Sequence, residues 1–251
     1  MAYGTLFSAL ITSTIFLIYT FYYLSKFTKI QIDFEQIFNL RKINNIFNIN
    51  LNIFIRTVLL TFSFLWFTYL GTQIGEDYVA ANAILINLVF LSAFILDAYA
   101  FSTEGIVGYS LGKKDLSLFK NIVKNSFILS SISGLIISII YFFAYEYVIN
   151  LMSDLEEIRE LSSSYVIWLI ILPLISSFCY QFDGIFIGAS QTKELRNAMV
   201  FSVLSYLIIS IILTKLIFNN GIWISLCIFM ILRAISLFYY LDKIYLRFRN
   251  S

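Results

Sequence analysis

The chain is written as long apolar runs separated by short polar connections. A membrane-spanning helix needs about 20 consecutive apolar residues. Seven runs meet that length, at roughly Tyr3–Leu24, Asn50–Leu70, Tyr78–Phe101, Ile122–Tyr145, Ser164–Ile187, Ala198–Phe218 and Ile222–Leu241. The period-2 alternation of a transmembrane strand is absent, so the pattern predicts helices and not a barrel. The first run has no basic segment before it, and it ends in Tyr22-Tyr23 and Lys26 without a small-residue cleavage site. That excludes a secretory signal peptide. The stretch Ile30–Phe47 differs in kind. Phe34, Ile37, Phe38, Ile43, Ile46 and Phe47 recur at helical spacing with Asp33, Glu35, Gln36, Arg41, Lys42 and Asn44 between them. It predicts an amphipathic helix lying at the membrane surface. The expected fold is all-α, a polytopic helical membrane protein of about seven transmembrane helices.

Composition sharpens this reading. Of 251 residues, 60% are hydrophobic and 13% charged, against about 45–50% and 25% in soluble domains. A chain of this size has too little interior to hide the excess, so the lipid bilayer is its first partner. A soluble enzyme and a nucleic-acid-binding module are excluded. The absence of His removes imidazole metal sites and Ser-His triads. Cys179 and Cys227 sit singly in apolar runs, without metal-type spacing. No metal or organic cofactor is expected.

Charge sets an orientation. Lys26, Lys29, Arg41 and Lys42 follow the first run, and Lys113, Lys114, Lys120 and Lys124 follow the third. Lys193 and Arg196 follow the fifth, and Lys243, Arg247 and Arg249 the last. The alternate connections hold only Arg159 and Lys215. Basic residues mark the cytoplasmic side, so the expected topology has the N-terminus outside and the C-terminus in the cytoplasm. An odd number of spans in that orientation is what a larger protein leaves after losing an odd number of upstream helices, five being the expected number.

Ionisable residues within spans are expensive and usually functional. They are Arg56, Asp97, Glu104, Asp183 and Arg233. Counting about 1.5 Å per residue from the nearest cytoplasmic lysine puts Glu104, Asp183 and Arg233 at one depth, about 14–15 Å in. These three are expected to form one buried cluster with Arg233 as counter-ion. Arg56 lies near its cytoplasmic end, where it can snorkel or serve as a second counter-ion. Asp97 is two turns deeper than Glu104 on the same helix face. Three carboxylates against two guanidiniums leave one acid over, and low dielectric favours the neutral form of an unpaired carboxylate. Asp97, the deepest, is expected to change protonation. A repeated phrase surrounds the other two acids: Glu104-Gly105-Ile106 leads to Gly108 and Lys113, and Asp183-Gly184-Ile185 leads to Gly188 and Lys193. Gly105, Gly108, Gly184 and Gly188 are expected to permit close helix packing.

The order and spacing of several such phrases resemble the MATE family of multidrug and toxic-compound antiporters, nearest its DinF-like subgroup. They are Gly71-Thr72-Gln73-Ile74-Gly75, Ala80-Ala81-Asn82-Ala83, Leu96-Asp97-Ala98-Tyr99-Ala100, Glu104-Gly105 with Gly108 and Gly112, Phe182-Asp183-Gly184-Ile185-Phe186-Ile187-Gly188-Ala189, and Glu194-Leu195-Arg196-Asn197. The resemblance implies two six-helix lobes that export cationic or amphipathic organic compounds against a proton or sodium gradient, in a bacterial cytoplasmic membrane. On that template residues 1–25 are the last helix of a truncated N-terminal lobe, 26–49 an inter-lobe connection, and 50–251 a six-helix C-terminal lobe. Asp97, Glu104 and Asp183 inherit the coupling or substrate-binding role. The acid that many members use in the N-terminal lobe would lie on a helix outside this chain. The partners implied are a small organic substrate and either the missing N-terminal lobe or a second half-transporter. Rival readings are a lipid-linked oligosaccharide flippase, which would need more intramembrane cations than acids, a non-transporting remnant, and a polytopic membrane enzyme. The short loops lack the Asp-rich magnesium motif that such an enzyme needs.

Overall fold

The computed structural model describes residues 2–27 and 38–249. Among them it holds seven α-helices and no strand. The helices are α1 (Ala2–Phe27), α2 (Leu40–Thr72), α3 (Glu76–Gly112), α4 (Leu116–Met152), α5 (Glu156–Ser164), α6 (Val166–Gly188) and α7 (Thr192–Arg249). The chain divides into two units, Met1–Phe47 and Asn48–Ser251. Of the expected amphipathic stretch, residues 30–37 lie outside the described residues. Positions 40–47 are the opening turns of α2, a single helix that continues into the apolar run.

In the first unit α1 exposes its apolar side chains along its length, from Leu6 to Leu24. Its hydroxyls turn back on their own helix: Thr12 donates to the carbonyl of Ser8, Thr14 to that of Leu10 and Thr20 to that of Phe16, each at 2.8 Å. A helix can carry Ser and Thr into hydrocarbon only when such groups are satisfied internally.

In the second unit α6 is the central helix, packed against α3, α4 and α7. Its sequence is apolar on every side, which is the mark of a helix surrounded by protein, and Leu169, Leu172, Cys179, Ile185 and Phe186 are fully buried. Small residues set its distance from its neighbours. A Cβ on Gly134 of α4 would stand 2.9 Å from the Pro173 carbonyl oxygen. A Cβ on Gly184 would run into the backbone of Ala100, and one on Gly188 into the backbone of Glu104. The pairs 184 with 100 and 188 with 104 rise together, so α3 and α6 run parallel with a fixed register.

Among the described residues six helices are long and apolar enough to cross a membrane, where the sequence pattern gives seven runs. The difference lies in α7. Ile217 (φ −133°, ψ 23°) and Phe218 (φ 51°, ψ −132°) are not helical, and a Cβ on Gly221 would meet the Leu213 carbonyl. Residues eight apart in a straight helix are separated by about 12 Å, so the chain doubles back here and α7 holds two spans. Asn219, just past this reversal, is pinned to α3. Its amide exchanges hydrogen bonds with Asn82 at 2.6 and 3.0 Å, and the Trp223 indole donates to the same Asn82 oxygen at 2.9 Å. All three residues are buried.

Candidate functional site

Four spans of the second unit bring ionisable groups together in the interior. Arg233, 1% exposed, reaches from α7 and donates through Nη2 to Asp183 Oδ2 of α6 at 2.6 Å. Arg56 of α2 donates to the same Asp183 oxygen. Arg233 is further held by Met230, whose sulfur lies 3.3 Å from Nη1, and by the Phe229 ring, 5.5 Å from its guanidinium carbon. The ring face attracts the cation. Asp97 of α3 is half-buried and lies within electrostatic range of Asp183, Arg56 and Arg233 without a direct ion pair among the described residues. Two guanidiniums therefore converge on one carboxylate, with a second carboxylate standing by.

The cluster is not fully satisfied. Asp183 Oδ1, the Nε atoms of Arg56 and Arg233, and Gln181 Nε2 are buried without a hydrogen-bond partner. The other end of the Gln181 amide accepts from Thr103 Oγ1 at 3.0 Å. Stranded polar atoms cost about 1–3 kcal/mol each when they stay unpaired. The site thus holds donors and an acceptor able to engage a guest.

This arrangement corrects the sequence expectations for Glu104 and for two of the glycines. Glu104 does not join Asp183 and Arg233; its side chain takes part in no ion pair or hydrogen bond among the described residues. Depth counted from the loops misleads because α6 ends at Gly188, and Lys193 belongs to the first turn of α7. The glycine register places Asp183 level with residue 99 of α3. At about 1.5 Å per residue that is two residues, about 3 Å, from Asp97, and five residues, about 7.5 Å, from Glu104. Of the two readings for Arg56, snorkelling or second counter-ion, the structure shows the side chain turned inward to Asp183. Of the glycines, Gly184 and Gly188 make the close contacts, Gly108 is an ordinary neighbour of Gly188 at 3.5 Å, and Gly105 meets nothing within 4 Å. The repeated acid-Gly-Ile phrase therefore does not mark equivalent positions. Sequence reading passed over Asn82, Asn219 and the Thr103–Gln181 pair. Their only signal is uncharged polarity inside apolar runs.

Apolar spans packed around a buried ion cluster define a multi-pass helical membrane protein. Its relatives agree. The MatE family matches residues 53–216, from α2 through the first span of α7. DNA damage-inducible protein F of Escherichia coli (strain K12) is 34% identical over 189 residues, covering 75% of this chain and 41% of that protein. The chain belongs to the MatE family. It spans 41% of the length of that relative. Among solved structures, a MATE protein in complex with MaL6 superposes with a TM-score of 0.85 at 15% identity, covering 100% of this chain and 57% of that one. The Vibrio cholerae MATE transporter VcmN in its bent form gives 0.74 at 16% identity, covering 86% and 49%. A MOP superfamily transporter from Pyrococcus furiosus, described as having a binding pocket of reverse polarity, gives 0.70 at 22% identity, covering 78% and 44%. These three share the fold.

Proposed function

We propose that this chain supplies the C-terminal half of a transporter that exports cationic or amphipathic organic compounds by antiport, in a bacterial cytoplasmic membrane. Its complement is an N-terminal lobe or a second half-transporter. Asp97 is the residue that exchanges its proton, or a sodium ion, for substrate.

The observation that carries this reading is the unequal sharing of charge in the cluster. Both guanidiniums are committed to Asp183, so Asp97 is left to meet a guest. With Asp97 ionised, the four groups sum to zero and a cationic substrate finds a free carboxylate. A proton on Asp97 leaves the cluster with one net positive charge, which repels a cation from the same place. Proton and substrate therefore compete for one group, as antiport needs. Commitment of both arginines to Asp183 also counts against the flippase reading, in which cations must be free to meet pyrophosphate.

The test is efflux in membrane vesicles that hold the chain with its complementary half, under an imposed pH gradient, with a sodium gradient in parallel. Asp97→Asn keeps the shape and fixes the residue neutral, so pH-driven efflux is lost while membrane levels stay unchanged. Normal pumping by Asp97→Asn overturns the assignment.

A further inference from the structure

A second site lies on the outer flank of the bundle, between α4 and the last span of α7, at the end that carries the lysine-rich connections. Its upper part is a cavity of about 540 Å³ whose lining includes Lys120, Asp242 and Tyr245. Directly below, an apolar trough of about 470 Å³ is lined by Phe127, Phe178, Phe182, Phe238 and aliphatic neighbours, with no polar side chain. The two follow one another along the same pair of helices, and together they are called the groove. Leu116, Lys120, Val123 and Phe127 fall at spacings of four, three and four and form one stripe of α4. Tyr245, Asp242, Phe238 and Ala234 form the facing stripe of α7. The back wall is α6, where Phe182 stands 4.8 Å from Phe127 and 6.4 Å from Phe238 between ring centres.

The groove has the polarity of a lipid. Below the polar end, Lys120 to Phe127 is seven residues and Asp242 to Ala234 eight, about 10–12 Å along either helix. That lies within one leaflet of a hydrocarbon core about 30 Å thick. At the polar end Lys120 and Asp242 face the same cavity, and among the described residues no ion pair joins them. A headgroup with a phosphate and a primary ammonium matches both, the phosphate toward the Lys120 amine and the Tyr245 hydroxyl, the ammonium toward Asp242. A phosphatidylglycerol headgroup would bring no cation to Asp242, and a quaternary ammonium would bring no N–H for it to accept.

We propose that this groove is a binding site for phosphatidylethanolamine, with the headgroup between Lys120 and Asp242 and an acyl chain along the phenylalanine trough. The site is distinct from the ion cluster, although Phe182 and Ala234 immediately adjoin Asp183 and Arg233 in sequence.

The experiment uses the purified chain in nanodiscs containing phosphatidylethanolamine with a photoreactive acyl chain, and peptide mapping of the adducts. Labelling is expected on the peptides bearing Phe127, Phe178 and Phe238, removed by excess unlabelled phosphatidylethanolamine but not by phosphatidylglycerol or phosphatidylcholine. Lys120→Ala and Asp242→Ala each weaken it about tenfold, the loss of one charge-assisted contact. Both residues are exposed, so the variants fold, and unchanged melting temperatures verify this. Phe143→Ala, an exposed position on α4 outside the groove, leaves labelling intact. Equal competition by all three lipids, stronger competition by phosphatidylglycerol, or labelling indifferent to both polar substitutions overturns the proposal.

Discussion

At the scale of single residues, the cost of the interior is concentrated in a few polar side chains. Asp183 balances two guanidiniums with one oxygen, so Asp183→Asn leaves both cations facing a neutral amide. Breaking a buried pair in this way costs about 3–5 kcal/mol. The expected result is a sharp loss of folded protein from the membrane, measured by thermal unfolding in detergent, where Asp97→Asn melts close to the parent. Efflux failure with a parental melting curve for Asp183→Asn would exchange the two roles. Asn82 is the second such position. Asn82→Ala strands the Asn219 amide and the Trp223 indole, at about 1–3 kcal/mol for each group left without a partner. A lowered melting temperature checks it, and a silent substitution would mean that water replaces the amide. The acids were legible from the sequence because charge inside an apolar run is conspicuous. Arg233 and Arg56 were legible as counter-ions for the same reason, and both meet Asp183; that Glu104 stands apart was not, because the register of α3 on α6 is set by glycine contacts that residue counting cannot see.

At the scale of elements, the helix ends carry the most information. Asp115 caps α4 by accepting from the Leu118 amide at 2.9 Å and the Ser117 hydroxyl at 2.8 Å. These bonds, the Leu118 amide first, hold its carboxyl below the usual carboxylate range. A lowered folded pKa means the stabilisation is complete above the ordinary aspartate value, about 3.9, and is lost as pH falls through the lower folded value. Hydrogen-exchange protection of the first amides of α4 should follow that acid-side course, and in Asp115→Asn it should become independent of pH there. The reversal inside α7 offers another test. Phe218 has φ 51° and ψ −132°, a conformation natural to glycine, and its side chain is 68% exposed. Relief of about 1–3 kcal/mol of strain exceeds the roughly 0.5–1 kcal/mol entropy cost of glycine. Phe218→Gly should therefore raise the melting temperature, and a fall would show that the phenyl ring anchors the turn. The sequence located this break to within a few residues, because Asn219-Asn220 interrupts the apolar pattern. It could not show that α2 runs unbroken from Leu40 into the membrane, since propensity for helix is continuous there while polarity is not.

At the scale of the whole molecule, composition and basic-residue alternation were enough to read a multi-pass bundle, and the order of short phrases pointed to the family that the matches establish. Reporter fusions after Phe218 and after the last residue should report opposite sides of the membrane, the second cytoplasmic; the same side for both would refute the orientation. The parallel contact of α3 with α6 has a mechanical consequence. Gly184 and Gly188 bring two backbones to touching distance over a full turn, leaving no side-chain layer to act as a bearing. Helices joined in this way cannot slide or roll past each other without collision. Asp97 and Asp183 are therefore carried on two helices held as one plank, and that contact fixes their spacing. Any shift within the bundle must be taken up where side chains still separate the helices, and Arg56 on α2 and Arg233 on α7 are the cluster members outside the glycine contact.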